Sequence, residues 1–112
     1  MTFASVPATI TTLGESAFRQ CTNLPATMDF SGTDLETMDN YVFENCTSIE
    51  KFIFPDNPLI ITIPNGFFAG CTKLEDIVLP TDITTIGSYV FSNTGFVNLD
   101  LASYTSLNTI IG

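Results

Sequence analysis

The 112-residue chain contains no histidine, no tryptophan and three cations, against twelve aspartate and glutamate residues. Without histidine, neither a Ser–His nor a Cys–His nucleophile pair can form. The sequence also lacks a phosphate-binding glycine loop and a nucleophile elbow. The adjacent acids Glu75 and Asp76 do not make a positioned acid–base pair, because neighbouring strand residues point to opposite faces or into a bend. We therefore expect no enzymatic activity, no cofactor and no metal.

The net charge of −9 restricts the classes of partner. Binding to nucleic acid requires a patch of Lys and Arg, and docking on anionic lipid requires the same. No apolar run reaches the roughly 18 residues that a membrane span requires, so no membrane insertion is expected. Residues 1–10 lack the basic and apolar regions of a signal peptide. The acidity either serves solubility or provides an acidic face for a cationic partner or Ca²⁺.

An internal repeat organises the whole chain. Cys21, Cys46 and Cys71 lie 25 residues apart, and each is followed by Thr. A phenylalanine precedes each cysteine by three positions (Phe18, Phe43 and Phe68), and Phe91 continues the column 23 residues later in a fourth repeat that has no cysteine. A pair of apolar residues precedes each phenylalanine; in chain order these pairs are Ile10/Leu13, Leu35/Met38, Ile60/Ile63 and Ile83/Ile86. Columns that recur together at one period indicate a repeat protein. We predict one unit over 1–112, with repeats near 10–34, 35–59, 60–82 and 83–106 and partial repeats at both ends.

The repeat resembles the BspA-like leucine-rich repeat. The best match is Cys-Thr-Lys-Leu-Glu-Asp-Ile-Val-Leu-Pro at 71–80, followed by Ile-Thr-Thr-Ile-Gly-Ser-Tyr-Val-Phe at 83–91. Asp39 and Pro64 replace a glycine of the pattern, and Ala102 replaces the proline that ends the strand. The resemblance implies a leucine-rich-repeat solenoid: a right-handed coil of four to five coils, with a parallel β-sheet on the concave face and short strands and 3₁₀ or helical turns on the convex face. It also implies a cell-surface or secreted protein that contacts host or matrix proteins.

Each repeat position has an expected role. The segments after the cysteines alternate as strands with one wet face, with inward residues Ile49/Phe52/Phe54, Leu74/Ile77/Leu79 and Phe96/Leu99/Leu101. The segment 24–30 carries one extra residue, as a bulge would. The segment 16–20 is expected to form a helical or 3₁₀ turn, and Gly14 and Gly87 to adopt positive φ.

The cysteine column invites three interpretations. Buried thiols that pack as small apolar groups are favoured, since cysteine is among the residue types most often buried. A disulfide between adjacent coils and a metal site are the alternatives, although no Cys-x-x-Cys pair or histidine supports a zinc site. The phenylalanine column is expected to stack in the core, while Tyr41, Phe67, Tyr89 and Tyr104 are expected to be partly exposed.

The outward residues of the concave sheet form the candidate binding surface, because solenoids present such faces to partners. The candidates are Asp29, Glu50, Lys51, Ile53, Glu75, Asp76, Val78, Asn98 and Asp100. They suggest a non-catalytic protein-binding or adhesion scaffold, with a structural spacer that has no ligand of its own as the alternative. Uncapped coils at the ends would expose apolar side chains and strand edges, so end-to-end self-association is also predicted.

Overall fold

The structure, a computed structural model, describes residues 9–96, 101 and 104–110. These residues form a parallel β-solenoid of about four turns, without a helix in the described ranges. The described ranges contain eight short strands in chain order: β1 (Thr12–Leu13), β2 (Thr27–Asp29), β3 (Thr37–Met38), β4 (Lys51–Ile53), β5 (Thr62–Ile63), β6 (Asp76–Val78), β7 (Thr85–Ile86) and β8 (Thr109–Ile110). Every pairing among them is parallel and joins one coil to the next. The predicted solenoid is therefore confirmed.

The strands that follow the cysteines form one three-stranded sheet in the order β2–β4–β6. Their central residues Met28, Phe52 and Ile77 are in register, and the first two are fully buried. Phe52 pairs with Met28, 24 positions earlier, whereas the cysteines repeat every 25. The first coil therefore carries one extra residue between Cys21 and β2, as the sequence predicted. The rest of the coil accommodates this extra residue, and the inward residues Met28, Phe52 and Ile77 stay in register.

The remaining strands, which we call the second column, are divided into two sheets, β1–β3 and β5–β7–β8. Asp39 N donates to Leu13 O at 3.0 Å, and Gly87 N donates to Ile63 O at 2.9 Å. Pro64 occupies the equivalent position in the third coil and has no N–H to donate. The interruption between β3 and β5 follows from this missing donor. A side chain joins the coils there instead, since Asn65 N donates to Asn40 Oδ1 at 3.1 Å.

The segments between the second column and the cysteines are consecutive turns, not the helical turn that we expected. Amides alternate along them: Ala17 N donates within its own coil to Gly14 O at 3.1 Å, and Phe18 N donates to Val42 O of the next coil at 2.9 Å. Ser16 and Gln20 adopt φ values of 56° and 59°. Left-handed residues at these positions break a right-handed helix and direct every second amide toward the neighbouring coil.

The left-handed positions also correct the expectation for the glycines. Neither Gly14 nor Gly87 has positive φ. The bend lies two residues later, and the residues with positive φ at this position are Ser16, Tyr41, Gly66 and Tyr89. The glycine of the repeat pattern is thus not the residue that makes the bend. At Gly87 the backbone of the preceding coil lies so close that an added Cβ would come within 3.0 Å of Ile63 O, so close packing explains the glycine there.

A stack of phenylalanine rings runs through the core, as predicted. Ring centroids lie 5.2 Å apart between Phe18 and Phe43, 6.2 Å between Phe43 and Phe68, and 6.3 Å between Phe68 and Phe91, and all three pairs are stacked. The expectation that Phe67 is partly exposed is wrong, because it is fully buried in edge contact with Phe68. It occupies the position of Val42 and Val90 in neighbouring coils, which also face inward.

The other three aromatic candidates differ from Phe67. Tyr41 is half-buried, Tyr89 is 64% exposed, and Tyr104 is half-buried with its hydroxyl accepting a hydrogen bond from Leu79 N at 2.9 Å. These three side chains carry a polar hydroxyl group that can remain in contact with water, whereas phenylalanine has none.

Candidate functional site

The outward side chains of β2, β4 and β6 form two rows across the sheet. Strand register places Thr27, Lys51 and Asp76 in one row. The other row consists of Asp29, Ile53 and Val78. Adjacent parallel strands lie about 4.8 Å apart, so neighbours within a row are in contact range of the same partner. The structure thus brings together five of the predicted residues, and we call this surface the β2–β4–β6 face.

Charges on the β2–β4–β6 face are partly paired. Lys51 Nζ lies 3.4 Å from Asp76 Oδ2, and both side chains are well exposed. Asp29 Oδ1 accepts a hydrogen bond from Ser31 N at 2.8 Å. Hydrogen bonds from the Ser31 hydroxyl and then from its amide lower the pKa of Asp29. This carboxylate therefore remains ionised at neutral pH, and it lies beside the apolar side chain of Ile53.

Glu50 and Glu75 lie immediately before β4 and β6 and are exposed. Together with Thr72, Lys73 and Gly95 they line a shallow depression at the start of the strands. A hydrogen bond between the coils fixes their backbones, since Glu75 N donates to Glu50 O at 3.0 Å. The last two candidates, Asn98 and Asp100, lie outside the described residues.

The apolar part of the face is small. Val78 is 41% exposed, and its neighbour Ile53 is half-buried. A partly exposed apolar pair bordered by charged groups fits a protein contact surface, in which an apolar centre has a polar rim.

The cysteines are part of the core. All three are buried, and none forms a disulfide. Cys46 Sγ donates to Phe18 O at 2.8 Å, and Cys71 Sγ donates to Phe43 O at 3.0 Å, so each thiol links its coil to the preceding one. Burial raises the pKa of both thiols to about 12. The favoured interpretation of the column as packed thiols is therefore correct, and these thiols are poor nucleophiles.

Two further findings concern the described part of the chain. It contains no group of three or more His, Cys, Asp or Glu side chains placed to hold a metal ion. No helix within it is long and apolar enough to cross a membrane.

Sequence reasoning overlooked one exposed surface. Leu59 and Ile61 are 67% and 47% exposed, more than Val78 on the predicted face. A signal for it was present, because Leu59 and Ile61 flank Ile60 of the inward column where the preceding repeat has Asp34 and Glu36 around Leu35.

Short parallel strands stacked coil on coil around an apolar core define a β-solenoid repeat scaffold. No polar or charged side chain is buried among the described residues. A family model described as "BspA type Leucine rich repeat region" matches residues 1–111 in six copies. The chain therefore belongs to the BspA-type leucine-rich-repeat family.

Among solved structures, the chain is similar to a leucine rich cell surface protein from Faecalibacterium prausnitzii. The TM-score is 0.67 at 19% sequence identity, and the match covers 90% of this chain. It covers 29% of the other chain, so the present sequence spans less than a third of that protein. At this identity the similarity shows the fold. A search of the curated proteins found no match.

Proposed function

We propose that this chain is a non-catalytic protein-binding scaffold of a surface-exposed or secreted protein, and that it contacts its partner through the β2–β4–β6 face. The observation that carries the proposal is the pair of outward rows, in which Ile53 and Val78 lie side by side among charged residues. A partner that covers Ile53 and Val78 gains apolar contact with them. Asp29 and Asp76, beside this pair, can accept hydrogen bonds from donor groups of the partner.

The family and its structural neighbour support the cellular setting. The similar protein is described as a cell surface protein, and it carries repeats of the same fold. An adhesive role, with a host or matrix protein as the partner, is consistent with such a setting. The absence of histidine from the whole sequence supports a non-catalytic role, because the usual nucleophile pairs require it.

Charge reversal on the face tests this proposal. The variant Glu50→Lys/Glu75→Lys/Asp76→Lys alters the exposed acids around the apolar pair. The matched control, Glu15→Lys/Asp39→Lys/Asp56→Lys, makes the same change of charge at exposed positions outside the face. Cells that display each chain are tested for attachment to immobilised extracellular-matrix proteins. We expect attachment to fall in the first variant and to persist in the control.

Equal attachment by all three chains would contradict the proposal and favour the spacer, which needs no binding face. Thermal unfolding of each variant verifies that the solenoid is retained, since a loss of fold would reduce attachment without testing the face.

A further inference from the structure

Two large apolar side chains project from the third coil beside β5. Leu59 is 67% exposed, Ile61 is 47% exposed, and Ile60 between them is 2% exposed. Leu59 lies in the turn closed by Ile60 N donating to Asn57 O at 2.9 Å, Ile61 lies just before β5, and both side chains are exposed. The equivalent position to Ile61 in the adjacent coils is Glu36 or Thr84. Leu59 and Ile61 therefore stand where the second and fourth coils both have polar residues.

Carboxylates frame this apolar pair on both sides. In the second coil, the exposed Asp34 and Glu36 flank the buried Leu35; in the fourth coil, the exposed Asp82 precedes the buried Ile83. Hydrogen bonds hold these segments side by side. We call the surface formed by these outward residues the acidic–apolar patch; it consists of Asp34, Glu36, Leu59, Ile61 and Asp82.

The contacts between coils fix the arrangement of the patch. Asn57 Nδ2 donates to Leu35 O at 3.1 Å, and Asn57 Oδ1 accepts from Leu59 N at 2.9 Å. Asn57 therefore ties the Leu59 backbone to the segment that carries Asp34 and Glu36. On the other side, Thr84 N donates to Ile61 O at 2.8 Å, which places Ile61 beside the segment that carries Asp82.

Arg19, Lys51 and Lys73, the three cationic side chains of the sequence, lie outside the patch. Arg19 Nε lies 2.6 Å from Glu44 Oε1, and Lys51 pairs with Asp76. Lys73 lines the depression at the start of β6. The acidic–apolar patch therefore keeps its negative charge, in contrast to the β2–β4–β6 face, where Lys51 neutralises part of it.

We propose that the acidic–apolar patch docks a cationic polypeptide segment in which apolar side chains alternate with Lys or Arg. In an extended segment, the apolar side chains would cover Leu59 and Ile61 while basic residues reach the surrounding carboxylates. Charge complementarity selects this occupant. A second copy of the chain, with three cations and a net charge of −9, does not complement the charge of this patch, and neither do nucleic acids or anionic membranes.

Binding of synthetic peptides to the full chain tests the proposal. The probe is a twelve-residue peptide of alternating Lys and Val; the controls are alternating Lys and Ser, which removes the apolar groups, and alternating Glu and Val, which reverses the charge. Fluorescence anisotropy gives the affinities, and amide chemical-shift mapping locates the contact. We expect the Lys–Val peptide to bind about tenfold more tightly than Lys–Ser, and the Glu–Val peptide not to bind.

Two variants separate the contributions. Leu59→Thr/Ile61→Thr should bring Lys–Val affinity down to that of Lys–Ser, and Thr84 shows that the repeat accepts threonine at the second position. Asp34→Asn/Glu36→Gln/Asp82→Asn should weaken binding at low salt and flatten its salt dependence. The matched control Asp29→Asn/Val78→Thr alters the β2–β4–β6 face and should change neither result.

Equal Lys–Val affinity in the wild type and in Leu59→Thr/Ile61→Thr would overturn the proposal, because binding would then follow total charge. Chemical-shift changes confined to the β2–β4–β6 face would also overturn it, while leaving the proposed function intact. Loss of attachment to matrix proteins in the face variant, with Lys–Val binding retained, would support both surfaces independently.

Discussion

Alkaline solution should destabilise this solenoid through the thiols of Cys46 and Cys71. Both side chains are fully buried, and each donates a hydrogen bond to a carbonyl of the preceding coil. Burial raises the pKa of each thiol from an ordinary value of 9.0 to about 12. The folded chain therefore keeps these protons at a pH at which the unfolded chain releases them.

The sign and size follow from this difference. Because the folded pKa values are raised, the stabilisation is fully present below about pH 9 and is lost as pH rises toward 12. Within that window each thiol removes about 1.4 kcal/mol of unfolding free energy per pH unit. The two thiols together remove about 3 kcal/mol by pH 10, a large part of the roughly 5–15 kcal/mol typical of a domain.

Urea unfolding at a series of pH values between about 7 and 11, under reducing conditions, measures this loss. The variants Cys46→Ala and Cys71→Ala should each be less stable at neutral pH, since each leaves a small cavity. Each should also remove one thiol's share of the alkaline slope, about 1.4 kcal/mol per pH unit, and the double variant should remove the share of both thiols. An equal slope in the wild type and the double variant would refute the assignment of the effect to these thiols.

Two further perturbations test the packing. Gly66→Ala should lower the unfolding free energy by more than about 1 kcal/mol, because Gly66 has a φ of 63° and an added Cβ would overlap the Tyr41 ring. The same substitution in a Tyr41→Ala background should cost less, and equal costs in urea unfolding would show that the ring plays no part. Phe43→Ala should cost about 3–5 kcal/mol, since the ring is fully buried and stacks between two others. Phe18→Ala should cost less because Phe18 is half-buried, and equal thermal-unfolding shifts for the two variants would contradict this ranking.

Much of the candidate site could be predicted from the sequence, for a definite reason. Strand alternation after each cysteine determines which residues point outward, so Asp29, Lys51 and Val78 could be assigned to one face from their spacing. Their pairing in rows depends on the register between coils, and the extra residue in the first coil alters that register. The salt bridge between Lys51 and Asp76 is a consequence of the register.

The sequence by itself determined the repeat, the inward columns and the thiols in the core. Each of these is set by a side chain's position within its own coil, and the period of 25 residues then superposes equivalent positions. Burial of the apolar side chains at the same inward positions is favourable in every coil. The phenylalanine stack and the buried Cys46 and Cys71 follow directly from this.

Contacts between coils were decided by the tertiary structure. The left-handed φ of Ser16 and Gln20 depends on amides that bond to the next coil, which local propensity does not describe. The division between β3 and β5 arises because Pro64 faces a carbonyl that needs a donor. The acidic–apolar patch likewise exists because stacking brings Leu59 beside carboxylates of neighbouring coils that are more than twenty residues away in the chain. Such proximities are properties of the stacked solenoid, and no single repeat contains them.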